Sequence, residues 1–316
     1  MNSKNCTKIT LFSLCIVFLG CSTANYAQLK KKENLEEIWK DEPQIESGTP
    51  NIVIDGLGNV MGIPSKIILL NSKIDRHKIS PETTAVIEKY IKDNPEEMKF
   101  TKIRLNQFAP VGEFRRLAKN KKISWWWRIF PGIPVTIFSL GGRLFGGDNY
   151  NPYTDTINIY SDVPVVTLHE AGHAVDYDEQ AQKGNGDYYA LGRMFTPVVL
   201  HQEQEASDKA VKYLEETKDR EGEKQAYKTL YPAYGTYVGG ATGIPFANVA
   251  GAAVGHVAGI IPRVDREKAF QAFDEAKWSE EITTDINADP VAKSLLEEHE
   301  KRESLLRGAF SKDSDN

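Results

Sequence analysis

The stretch "PVVTLHEAGHAVDYD", residues 164–178, decides how the rest of the chain is read. It places two of the chain's six histidines four residues apart, with a glutamate directly after the first and apolar residues on both sides. On an α-helix, residues four apart are neighbours on one face, so His169 and His173 can aim both imidazoles at a single ion about 2.0–2.1 Å from each ring nitrogen. Glu170 lies about 100° further round the helix, beside such an ion rather than under it, where it can take a proton from a bound water. Val165, Val166, Leu168, Ala171 and Val175 supply apolar packing, and Ala171 and Gly172 keep the helix surface slim. Two histidines and a glutamate on a core-facing helix are costly to desolvate without a partner ion.

Two imidazoles do not hold a catalytic zinc firmly, and a third protein ligand is needed. The candidates are Glu203 and Glu205 in "HQEQEASDKA", residues 201–210, within a segment whose apolar residues Val198, Val199, Ala206, Ala210 and Leu214 recur at helical spacing. Asp176 follows His173 by three residues and is placed to accept a hydrogen bond from a ligand imidazole; Ser207 and Asp208 are placed to do so from the second helix. Donors to a developing oxyanion would be Tyr234, Tyr237, His201 or His256, and the sequence does not choose among them.

Working outward, 316 residues with 41 % hydrophobic and 26 % charged content leave room for a substantial core. "MNSKNCTK" and the apolar run "ITLFSLCIVFLG" read as an export signal over residues 1–20, because twelve uncharged residues are fewer than the roughly twenty that a spanning helix needs. "FLGC" resembles a bacterial lipobox, with Cys21 the residue that would be lipidated. The three cysteines, Cys6, Cys15 and Cys21, all fall in this leader or at its end, so a metal site must use His, Asp and Glu. Losing Lys4 and Lys8 takes the basic count from 39 to 37 against 44 acidic residues, a net charge of −7, and nothing suggests a nucleic-acid partner. Ser22 favours the outer membrane of an envelope.

Residues 21–50 are expected to be a flexible tether, with folding beginning near Asn51. "SKIILLNSKI" (65–74) and "KFTKIRLNQF" (99–108) read as strands, and "SPETTAVIEKYIKDN" and "VGEFRRLAKNKK" as helices. "DTINIY" alternates as a strand, after which Ser161 or Asp162 would cap the histidine helix. Trp125, Trp126 and Trp127 follow a basic run, which suits a membrane interface as well as a core covered by large loops. Residues 229–262 carry no Asp, Glu, Lys or Arg, and glycine recurs at every fourth position in "GTYVGGATG" and "GAAVGHVAG". Such spacing lets two backbones approach closely, so 231–262 reads as a hairpin with Pro245 at its turn, buried beside the site, with insertion into a membrane as the rival reading. Residues 263–316 read as a charged helix and a disordered tail. An α+β fold follows, with a small N-terminal mixed sheet over 51–162 and a mainly helical half over 163–262.

"HEAGH" followed by a glutamate helix with Ala and Ser three and four residues on is similar to the gluzincin zinc peptidases, most closely the YugP-like and HtpX-like membrane-associated ones. The resemblance covers roughly residues 145–245 and departs from the family in lacking its flanking transmembrane helices. It implies a zincin-like fold, one Zn2+, and Glu203 as third ligand, since Ala206, Ser207 and Ala210 fit the family frame better than the surroundings of Glu205. It also implies that Thr156, Ile157, Asn158, Ile159 and Tyr160 form an edge strand that pairs with an extended peptide. The function it implies is peptide-bond hydrolysis, with Glu170 as general base, on envelope or membrane-proximal proteins. A zinc-containing lipoprotein scaffold or chaperone is the alternative, but a binding module has no use for Glu170 beside the metal.

Overall fold

A computed structural model describes residues 43–288, with side chains as far as residue 277. The signal at 1–20, Cys21, most of the tether and the tail beyond residue 288 lie outside the described residues. In chain order the elements are β1 (Ile45–Ser47), α1 (Ile52–Met61), α2 (Ile63–Ile68), α3 (Pro81–Asp93), β2 (Lys102–Leu105), α4 (Pro110–Lys119), α5 (Trp125–Ile129), α6 (Gly132–Leu140) and α7 (Gly142–Phe145). They continue with β3 (Asn149–Asn151), β4 (Thr156–Ile159), α8 (Pro164–Gln182), α9 (Gly186–Gly192), α10 (Thr196–Glu216), α11 (Arg220–Ala241) and α12 (Ala247–Ala258). A separate compact unit begins at Ile261 and comprises most of α13 (Ile260–Ala288). The fold is α+β, with a small mixed four-stranded sheet and a helical C-terminal half.

The sheet has the order β1-β2-β4-β3; β1, β2 and β4 run parallel and β3 is antiparallel to β4. Alternation along β2 sends Ile103 and Leu105 into the core beside Ile157 and Ile159. Its other face is charged and equally buried, tolerable only because every charge is paired. Lys102 Nζ lies 2.6 Å from Glu46, and Arg104 lies 2.7 Å from Glu46 and 2.6 Å from Glu113. Glu46 belongs to β1, so the expectation that 21–50 is wholly a tether is corrected. The Gln44 amide donates to Met98 O at 2.6 Å, and Gly48 N donates to Leu105 O at 2.8 Å, joining the chain to the sheet well before Asn51.

Two further expectations are corrected. Residues 65–74 form no strand: Pro64 opens α2 just after Gly62, and turns follow it. The histidine helix α8 begins at Pro164 after Val163, which gives no side-chain cap. Asp162 instead accepts from Ser80 N and Thr83 Oγ1, both at 2.9 Å, and pairs with Arg76 at 3.3 Å, so it secures the start of α3. Burial opposes its charge, but the Ser80 and Thr83 hydrogen bonds outweigh this and hold the Asp162 carboxyl below its usual value. A depressed folded pKa stabilises the fold above the unfolded value near 3.8 and loses that contribution as pH falls through the folded value. Asp162→Asn is therefore expected to lower stability by about 1–3 kcal/mol at neutral pH, with the gap to wild type closing in acid during urea titrations across pH.

α8 is the central helix. It packs on β3 and β4, on α3, and on α10 and α11, and most of its side chains are buried. Where its C-terminal half meets the loop before α5, Lys122 Nζ lies 2.9 Å from Asp155 and 3.0 Å from Asp178, all three side chains almost wholly buried. Removing one partner of such a group leaves uncompensated charge, so Lys122→Met should cost about 3–5 kcal/mol by denaturant unfolding.

α11 and α12 pack along one another with almost no side chain between them. A Cβ on Gly235 would strike the carbonyl of Gly251, and one on Gly251 would strike that of Gly235. Glycine at these positions thus sets the hairpin, whose turn runs over 242–246 around Pro245. The expectation that the hairpin is buried is corrected: its outer face is open, with Phe246 83 % and Val254 68 % exposed.

Candidate metal centre

α8 and α10 meet at Gly172, where a Cβ would come within 2.6 Å of the Ala206 carbonyl oxygen. The missing side chain lets the two helices approach, and it does so between the two histidines. Glu203, one turn before Ala206, consequently reaches both rings. Its Oε2 lies 3.1 Å from His169 Nε2 and its Oε1 3.3 Å from His173 Nε2, and one ligand atom from each residue falls within 4.8 Å of the others. The rings meet edge to face, 4.7 Å between centroids. Ser207 Oγ lies 3.1 Å from His169 Nδ1 and fixes that ring from behind.

Glu205 is not in this cluster. It is on the outer side of α10, 3.9 Å from the exposed His201. Asp176 is corrected as a partner of the imidazoles, because it faces the Tyr189 hydroxyl. So is Asp208, exposed and bonded to Gln204. His201 is turned to solvent, and His256 Nε2 contacts the Ile68 carbonyl oxygen at 2.9 Å, so neither faces the site. Tyr234 and Tyr237 do line it.

The centre sits in a cleft with two lobes that share Asp148, Glu170, Glu203 and Tyr237. The larger, about 610 Å³, runs along β3 past Tyr150 and Asn151 to Arg193 and Met194. The smaller, about 220 Å³, is closed by Leu69, Val166, Leu230 and Ala233. The expected substrate strand is corrected here. β4 is paired on both sides, by β2 and β3, so Thr156, Ile157, Asn158 and Ile159 offer no open edge, and Tyr160 lies past its end. The edge that borders the cleft is the antiparallel β3.

Charge is distributed unevenly in this small space. Burial pushes the Glu170 carboxyl up to about 7, helped by the negative Glu203 and Asp148 and opposed by His169. Burial also pushes His173 down to about 4. Around His169 burial works the same way, but the Glu203 hydrogen bond and charge outweigh it and raise its affinity for a proton. Glu203, although buried, is held well below the usual carboxylate range by both imidazoles.

Two neighbours carry no sequence motif. Arg193 Nη2 lies 3.7 Å from Glu203 Oε1, while its Nη1 is buried and without a hydrogen-bond partner. Its sole sequence signal is an arginine among apolar residues in "ALGRMFTP", just before the helix that holds Glu203. Asp148 accepts from Tyr160 N at 2.6 Å and Ser161 N at 2.9 Å, and burial beside Asp75 raises it to about 6.

The donor set suits a divalent ion. Both Nε2 atoms point at one carboxylate, and His173 Nδ1 is buried with no partner, so neither tautomer of that ring satisfies both nitrogens. A cation between the three side chains would let both Nε2 lone pairs and the carboxylate face positive charge. No protein-family model, curated protein or solved structure matches the chain.

Proposed function

We propose that the protein is a zinc-dependent endopeptidase of zincin-like fold, related to the gluzincins and held by a lipidated Cys21 in a bacterial envelope, towards the outer membrane. The observation that carries this reading is the Glu203 carboxylate at 3.1 and 3.3 Å from the two Nε2 atoms, with Glu170 in the same cleft. His169, His173 and Glu203 would hold the ion. Zinc bound there would supply Lewis acidity, for a peptide carbonyl and for a water whose pKa would fall towards ≈7.

The chain's own residues do the rest. A carboxyl with a pKa near 7 can both accept and return a proton at neutral pH, so Glu170 takes the proton of the attacking water and delivers it to the leaving amine. Tyr237, whose hydroxyl faces Glu203, and the unpartnered Nη1 of Arg193 would be the donors to the oxygen that gains charge. An extended peptide would pair with β3 and cross Glu170 from one lobe to the other.

The test is cleavage of casein or an unstructured peptide by the mature chain, lost on chelation and restored by zinc. Zinc at a hundredfold excess over its Kd should also stabilise the fold by about 2.7 kcal/mol in thermal melts. Restored zinc binding without cleavage would support the scaffold reading instead.

A further inference from the structure

We propose that the rim of the cleft is a lipid-docking surface, which seats the protein on a bilayer with the cleft opening towards it. This goes beyond the peptidase reading and needs no catalysis, but its choice of a bilayer rests on the leader and Cys21 anchor in that reading.

The first observation is an asymmetry. Exposed large apolar side chains gather on α1, α2, α5, α6, α7 and the outer face of the α11–α12 hairpin. Two other surface helices differ: α3 exposes none and α10 only Val198, in its first turn, while α4 exposes Val111 and Phe114 and α9 exposes Tyr188. The apolar elements are also continuous. α5 touches α6, α6 touches α7, α7 touches α1, α1 touches α2, and α2 touches α12. They border both lobes, Ser65 of α2 the smaller and Phe138 of α6 and Phe145 of α7 the larger. An apolar surface of this extent marks an interaction site.

The second observation is what became of the charges. Residues 229–262 have none, and 123–147 have only Arg128 and Arg143. Arg128 donates to the carbonyls of Ile123 at 3.0 Å and Ala118 at 2.6 Å. Arg143 donates to Thr49 O at 3.1 Å and pairs at 2.9 Å with Asp55, the sole charge in α1. Lys66 on α2 donates to Asn59 O at 2.6 Å and to Asp75 O at 3.3 Å, so each cation of these segments already has hydrogen-bond partners within the protein.

The third is where the chain comes from. The apolar run at 9–20 and Cys21 precede the described residues by only 22 positions, a tether of at most about 75 Å at full extension. From Pro43 the chain passes through β1 directly into α1, part of the rim. A leader of this composition and so short a tether favour a bilayer over a second copy of the chain. No helix among the described residues is long and apolar enough to cross a membrane, so the contact is interfacial. Trp125 stacked on Trp126 at 3.7 Å, both half exposed, suits the headgroup level.

The test uses the mature chain, residues 21–316, carrying Cys21→Ser so that no acyl chain contributes, with vesicles of phosphatidylethanolamine and phosphatidylglycerol. It should float with the vesicles, and Trp126→Glu with Phe138→Glu should lower partitioning by about tenfold per side chain. An environment-sensitive fluorophore on Val254→Cys should shift to the blue on vesicles, while the same probe on Lys212→Cys, exposed on α10, should not. Absence of flotation, equal flotation of the double variant, or equal shifts at both probes would overturn the proposal. A shift at Val254→Cys that needs no vesicles and grows with protein concentration would overturn it too, assigning the rim to a second copy. Casein cleavage is read separately, so either conclusion can fail alone.

Discussion

Glu170→Gln is expected to keep its zinc and its fold while peptide cleavage falls by roughly 10²–10⁴-fold. Glutamine matches the shape of glutamate, and Glu170 makes no contact that would hold the ion in place of Glu203. What is lost is a proton carrier. The wild-type group is suited to that task because burial, Glu203 and Asp148 have moved its carboxyl to about 7. Removing a buried ionisable group also relieves desolvation, so the variant should melt no lower than wild type. Cleavage assays beside metal content and a thermal melt check all three statements; a variant that loses its zinc would show that Glu170 is a ligand and not a base.

Glu203→Ala should do the reverse. It leaves two imidazoles for an ion that needs a third protein ligand, so zinc and cleavage disappear together. It also strands Arg193, whose nearest negative charge is Glu203 at 3.7 Å. Loss of one partner from a buried pair costs about 3–5 kcal/mol, and zinc should no longer raise the melting midpoint. Glu205→Ala, on the outer side of the same helix, should change neither zinc content nor rate.

Particular residues show what was legible in the chain. The i,i+4 spacing of His169 and His173 within an apolar run fixed their common face without knowledge of any neighbour. The start of α3 was equally local, because Ser80 and Pro81 specify it and Thr83 N completes the cap at 3.3 Å. Features set by pairing across the fold were hidden. β1 is three residues in a charged stretch and exists because Glu46 meets Lys102 and Arg104. β4 alternates well but is internal, while the edge strand beside it is "NYN", which has no pattern to read. "IILL" at 67–70 is apolar in either a helix or a strand, and Pro64 at the start of α2 was the signal that distinguishes them. Asp162 was placed to cap the helix after it, yet Ser80 and Thr83 from a distant part of the chain claim its oxygens. Arg193 belongs to no motif and gains its place through the turn between α9 and α10.

The most direct measurement is the metal content of the purified mature chain by elemental mass spectrometry, wild type beside Glu203→Ala and Glu205→Ala. One zinc per chain, absent from Glu203→Ala and retained by Glu205→Ala, is the result expected from a carboxylate that lies 3.1 and 3.3 Å from the two imidazoles. A wild-type chain with no divalent metal after zinc loading, or one that loses its zinc only with Glu205→Ala, would contradict it.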